Sequence, residues 1–300
     1  MVMKLSNLTR THQLVLGSIM AAINVLFAIL SSYVFAFSLL IMLFLPLASV
    51  IVALNIDLKF YPVYFLGTMF LALILNFANI ENTLFFLLPI LASGLTFGLL
   101  IKHNIPDILI LVIVSCVNLT TLLITIPIIN LIYSINFLET SASFIGFTSI
   151  DYGKLIVPSI LTLLAFGQTL ITLLVISVDA RYFRITINAK PWKYTSIVNL
   201  LFIGLYIGFI FWNEGIALAL LFVLFLLSIY ALIGIYQKHK LSGYIASLIS
   251  FAFLFIGIAI TEQFIPVKAY FGLLFAVVPI VITDILWLYI NSRKKEELNG

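Results

Sequence analysis

The places where this chain could do chemistry are the few polar residues set inside long apolar runs. Asp284 is the single carboxylate within "VVPIVITDILWLYI", a stretch that stops at Arg293-Lys294-Lys295. Asn24, Asn118 and Gln168 interrupt three other hydrophobic runs, with Thr120, Thr121 and Thr169 beside them. An amide surrounded by hydrocarbon must find a hydrogen-bond partner, so all three amides are expected to face a protein interior. There they either line a pocket for a polar ligand or bond one another across helices, at roughly 0.6 to 2 kcal/mol each.

Asp284 carries a larger penalty, about 2.5–3.5 kcal/mol at a helix centre on insertion scales and less near an interface. Two readings stand. As an interfacial acid, it meets headgroup water or a basic side chain from a neighbouring loop. As a functional group, it holds a proton or a ligand. Its place about two turns from Arg293 points to the interfacial acid.

Other reactive constellations are missing. His12, His103 and His239 fall at the ends of apolar runs, and no pair has metal-ligand spacing. There is no phosphate-binding GxxxxGK[ST] loop and no HExxH pair. Ser93 has no base within the same apolar run. The expectation is therefore a protein that is not an enzyme and has no catalytic residues, metal or cofactor. Cys116, the one cysteine, has no intramolecular disulfide partner and reads as a small core residue.

The elements that carry these residues follow from composition. The chain of 300 residues is 64% hydrophobic and 9% charged. Soluble domains are about half apolar and a quarter charged, so the solvent for most of this chain must be lipid. The net charge of +4 then reports loops beside a bilayer and not a nucleic-acid partner. The first apolar run lacks a small-residue cleavage site and reads as a retained helix.

Apolar runs at 13–31, 35–54, 60–77, 84–101, 107–131, 154–178, 195–212, 215–236, 241–261 and 269–290 predict about ten transmembrane helices in an all-α, polytopic membrane protein. "SSYVF" (Ser31–Phe35), "NIENT" (Asn79–Thr83) and "NEG" (Asn213–Gly215) are the expected turns. With the N-terminus in the cytoplasm, every Lys and Arg except Lys154 and Lys268 falls on the inner side. Glu81, Glu139, Asp151, Glu214 and Glu262 fall outside. Both termini are thus expected in the cytoplasm. The basic loop 179–195, with Trp192 and Tyr194 at the interface, separates a six-helix region 1–178 from a four-helix region 196–300.

Small residues four apart allow close helix approach. The pattern occurs at Gly17/Ala21 and Ser18/Ala22, at Gly94/Gly98 and at Gly204/Gly208, and it reads first as packing inside the bundle. Pro46, Pro89, Pro127 and Pro279 are expected to break helices or free carbonyls.

The compact six-helix front with a small-residue first helix resembles the substrate-binding S components of energy-coupling-factor vitamin transporters. That resemblance implies a docking role for Gly17, Ser18, Ala21 and Ala22 against an ATP-hydrolysing coupling module. Over nearly the whole chain, "YFRITINAKPWKYTSIVNL", "SIYALIGIYQ" and "ITDILWLYINSRKK" are similar to the YybS-like family of uncharacterised bacterial membrane proteins. In that family an aspartate in the last helix precedes a basic run, as Asp284 precedes Arg293 here; "VITD" stands where the family carries a glycine.

The expected function is binding or translocation of a small solute in the bacterial cytoplasmic (inner) membrane. Asn24, Asn118 and Gln168 are the candidate solute ligands, and the bilayer and a coupling module or other membrane protein are the partners. A non-transporting envelope scaffold and a self-contained carrier of two five-helix halves are the alternatives.

Overall fold

The computed structural model describes residues 9–33, 46–134, 136, 150–178, 191–238, 240–264 and 274–286. Among these residues the structure is all-helical. The elements are α1 (Arg10–Tyr33), α2 (Pro46–Asn55), α3 (Tyr61–Leu75), α4 (Ile80–Lys102), α5 (Asp107–Tyr133), α6 (Ile150–Val178), α7 (Pro191–Ile210), α8 (Glu214–Lys238), α9 (Lys240–Phe264) and α10 (Leu274–Leu286). Among the described residues seven stretches are long and apolar enough to cross a membrane: α1, α4, α5, α8, the 3-10 turn Leu58–Phe60 with α3, Val157–Ser177 of α6, and Lys240–Thr261 of α9. The described parts of α2, α7 and α10 are shorter and apolar.

The apolar core is joined by buried polar side chains, and the surface, unlike that of a water-soluble protein, carries many large apolar ones. Asn24, Ser49, Thr68 and Asn76 are buried, while Leu66, Phe70, Leu248 and Phe251 are exposed. Exposed apolar faces of this extent are untenable in water and natural in lipid.

The chain divides into two compact units. One comprises Met1–Phe144 with Leu164–Ala189, the other Ile145–Leu163 with Lys190–Gly300. The division runs through α6, so the first part of that helix packs with the C-terminal helices.

In the first unit α4 packs on both α5 and α1. The turn between α4 and α5 places Asn104 at φ 55°, a left-handed conformation that asparagine tolerates. The Gly94/Gly98 pair is an internal packing surface. A Cβ on Gly94 would lie 3.0 Å from the Ser49 carbonyl carbon, and one on Gly98 equally close to that of Ala53. Two small-residue pairs, on α2 and α4, thus let the backbones nearly touch. Tyr61, Val25, Val52, Leu87 and Leu91 fill the core around this contact.

In the second unit α7 and α8 form a helical hairpin through residues 211–213. Asn213 caps α8, its Oδ1 accepting the Ile216 N–H at 3.1 Å. Gly243 lets α9 pass close to α8, since a Cβ there would lie 2.9 Å from Tyr236 Cα. Gly204 and Gly208 have the spacing of Gly94 and Gly98 but face open space.

Several element expectations need correction. Ser31, Ser32 and Tyr33 belong to α1 and not to a turn, because the two serine hydroxyls bond back to the Ala28 carbonyl. The helix carrying Glu81 starts at Ile80, so most of "NIENT" is its first turn. Of the two outcomes expected of proline, Pro89 and Pro127 give the freed carbonyl and not the break, since their helices continue. Cys116 is exposed and not a core residue, because α5 turns Asn118, Ser115 and Leu122 inward. The basic loop expected at 179–195 is helical from Pro191, where α7 begins; its residues 179–190, the residues 34–45 and His239 lie outside the described residues, and the side chains of Trp192 and Tyr194 outside the described side chains.

Candidate functional site

The first unit is built around polar side chains that its helices turn inward. Helix α1 buries Gln13, Gly17, Asn24, Val25, Ala28 and Ser31, a stripe of helical period in which polar and small residues outnumber large apolar ones. Asn24, fully buried, donates through Nδ2 to Ser49 Oγ at 2.9 Å and to Tyr64 Oη at 2.8 Å. The two hydroxyl oxygens lie 3.4 Å apart, so α1, α2 and α3 meet at one three-residue cluster. Asn24 Oδ1 is buried without a partner.

Tyr61 and Tyr64 stand edge-to-face with centroids 5.3 Å apart, and Tyr61 Oη donates to the Leu91 carbonyl at 2.6 Å. At one end of α3, Asn76 Nδ2 reaches Ser32 Oγ at 2.8 Å and Thr83 Oγ1 at 3.0 Å. Near the other, Gln13 Oε1 accepts the Asp57 N–H at 3.2 Å, and Lys102 Nζ donates to the Ile56 carbonyl at 3.1 Å.

On the outer side of this cluster lies an open groove of about 240 Å³, between α1 and α3. Gln13, Gly17, Ser18, Ala21, Tyr64 and Thr68 are among its lining residues. Tyr64 is shared: its hydroxyl belongs to the Asn24 cluster while the residue lines the groove. The groove is therefore lined by apolar and small residues with a few polar groups among them.

The residues singled out from sequence fall in different places. Asn118 and Gln168 bond each other, Nδ2 to Oε1 at 2.6 Å, between α5 and α6. Asn118 Oδ1 and Ser115 Oγ are buried there without partners. Asn24 belongs to its own cluster with Ser49 and Tyr64, so the three amides do not line one pocket. Thr120, Thr121 and Thr169 bond back to carbonyls of their own helices.

The four small residues of α1 do not form one exposed stripe. Gly17 is buried against Ile56, whose Cδ1 would lie 3.2 Å from an added Cβ, and Ala21 is half-buried, while Ser18 and Ala22 are exposed. Asp284 is not bathed in interfacial water. It is 2% exposed on a face of α10 that buries Val277, Ile280 and Val281 as well. Its Oδ2 accepts the Ser196 hydroxyl at 2.6 Å.

Sequence reasoning missed Tyr64, Ser49 and Ser196. Tyr64 lies near the start of its span, where a tyrosine reads as an interfacial anchor. The serines are too common in membrane helices to stand out. Among the described residues no three His, Cys, Asp or Glu come together in a way that would hold a metal ion. No family model, curated protein or solved structure matches the chain.

Proposed function

We propose that this chain is a multi-pass protein of the bacterial cytoplasmic membrane that binds or translocates a small solute in an S-component-like manner, with both termini in the cytoplasm. The observation that supports solute binding is the groove between α1 and α3, with the Asn24–Ser49–Tyr64 cluster behind its wall. Its volume of about 240 Å³ falls below the usual range for ligand sites, roughly 300–1,000 Å³, and so suits only a compact molecule. Gln13, Ser18, Tyr64 and Thr68 are the polar residues of an otherwise apolar lining, and the Thr68 hydroxyl already donates to the Tyr64 carbonyl. The charge pattern of the loops supports the orientation. On the S-component resemblance, Ser18 and Ala22 are the exposed small residues left for a coupling subunit to approach.

Gly67 makes the reading testable. It lines the groove, and a Cβ placed on it meets nothing within 4 Å. Gly67→Leu should fill the groove and leave the fold intact. Gly167→Leu, at a second open glycine outside the groove's lining, is the control. Native mass spectrometry of the full chain, extracted gently from membranes, should find a small molecule retained by the parent and by Gly167→Leu but lost from Gly67→Leu. Retention by Gly67→Leu, or no retained molecule in the parent, would count against this site.

A further inference from the structure

The groove between α1 and α3 opens onto a surface that a bilayer would cover with hydrocarbon. Leu14 and Val63, on its two walls, are 54% and 63% exposed, and Leu66 and Phe70 continue the exposed apolar face along α3. No lining side chain carries a charge. Two of its polar groups are already engaged, since Gln13 Oε1 accepts the Asp57 N–H and the Thr68 hydroxyl donates to the Tyr64 carbonyl. What enters here comes sideways out of lipid and lays an apolar part against these walls.

The length of the groove fits one leaflet. Its lining runs from Gln13 to Ala21 on one wall and from Phe60 to Thr68 on the other, roughly 12 Å at the helical rise. Half of the hydrocarbon core is about 15 Å. Helices α1 and α3 start at the same end of the unit: Gln13 meets Asp57 there, and Ser32 meets Asn76 at the other end. The groove thus begins near one membrane face and stops short of the midplane, the reach of a single acyl chain.

Positive charge stands at the shallow end. Arg10 lies three residues before Gln13, on the same side of α1, and Lys59 is next to Phe60 in the 3-10 turn; both are exposed. His12 and Asp57 are exposed at this end as well. The Asp57 charge acts on Lys102, whose Nζ donates to the Ile56 carbonyl, so a protein cation already balances it. Arg10 and Lys59 remain as the excess at the mouth. On the expected orientation they face the cytoplasmic leaflet, whose negative surface potential attracts basic side chains.

We propose that the groove holds one acyl chain of an anionic phospholipid, with the headgroup at Arg10 and Lys59. The proposal rests on the groove being the ligand site, and it names the ligand as a lipid drawn from the bilayer and not a water-soluble solute.

The probes are phosphatidylglycerol and phosphatidylcholine with identical chains. Each is added to the full-length protein, purified in detergent and stripped of lipid, and bound copies are counted by native mass spectrometry. The parent should hold one phosphatidylglycerol about twentyfold more tightly than phosphatidylcholine. Gly67→Leu should lose that copy, as should Ser18→Leu, which fills the groove from the opposite wall at an exposed position. Gly167→Leu should keep it. Arg10→Gln and Lys59→Gln should each weaken phosphatidylglycerol about fivefold, or about 1 kcal/mol, and leave phosphatidylcholine unchanged. Equal affinity of the parent for the two lipids overturns the proposal, and so does phosphatidylglycerol held undiminished in both leucine variants of the groove. A water-soluble molecule that is retained from cells and lost from Gly67→Leu overturns the lipid assignment and leaves the solute reading standing. A parent that retains neither lipid nor solute overturns both. A second protein chain whose mass disappears in Gly67→Leu overturns the proposal in favour of a helix seated in the groove.

Discussion

Asn118 Nδ2 lies 2.6 Å from Gln168 Oε1, so two side chains fifty residues apart in sequence join α5 to α6 inside the first unit. Both residues are buried, and neither has water to turn to. Removing one partner orphans part of the other, whereas removing both removes the need.

Asn118→Leu and Gln168→Leu should each destabilise the protein, by roughly 0.6 to 2 kcal/mol on the scale of interhelical bonds in membranes. The double variant should lose less than the sum of the singles, with a coupling energy near 1 kcal/mol. Unfolding of purified protein in mixed micelles by added SDS gives the cycle. Strict additivity would show that the bond contributes nothing.

The two glycine pairs separate packing from mere spacing. Gly94→Ala and Gly98→Ala put a methyl group into the Ser49 and Ala53 backbones, where nothing flexible can yield. Each should cost about 1–3 kcal/mol, the range for overpacked cores. Gly204→Ala and Gly208→Ala meet open space and should be neutral or slightly stabilising, since alanine is the better helix former. Melting temperatures in one detergent compare all four. Equal effects at the two pairs would contradict the arrangement of α2 against α4.

The helices were legible because an apolar run long enough to cross hydrocarbon leaves few alternatives, and each of the ten expected runs contains a helix among the described residues. Helix ends were less legible. Ser31 and Ser32 look like a turn in sequence, yet their hydroxyls bond to Ala28 and stay helical. The amides could be assigned to the interior because hydrocarbon offers them nothing. Their partners could not, because a single sequence does not say which helices are neighbours. Cys116 was misplaced for a related reason. Helix α5 is apolar nearly all round, so its period marks no inward face. Gly94/Gly98 and Gly204/Gly208 have identical spacing, and only the structure shows that one pair is covered.

The orientation rests on charge. With Lys154 and Lys268 the only cations assigned outside, reporter fusions after Ser143 and Asn188 should lie on opposite sides, outer and inner respectively. A phosphatase active only outside and a fluorescent protein bright only inside read the two positions. The same side for both would require a different number of crossings between them.

Ser49 has two roles that substitution can pull apart. Its hydroxyl accepts the Asn24 amide at 2.9 Å, and its Cβ is what a side chain on Gly94 would strike. Ser49→Ala keeps the Cβ and loses the oxygen. Asn24 Nδ2 then still has Tyr64 Oη at 2.8 Å, so the loss should stay near 0.6 kcal/mol, the average for such bonds. Ser49→Val instead adds bulk where α2 and α4 nearly touch, and should cost about 1–3 kcal/mol by overpacking. Pairing Ser49→Val with Gly94→Ala should be worse than either alone, because both crowd the same contact. SDS unfolding of the three variants decides the order. If Ser49→Ala proves as damaging as Ser49→Val, the hydroxyl and not the close approach holds α2 in place, and the packing account of the Gly94/Gly98 pair fails.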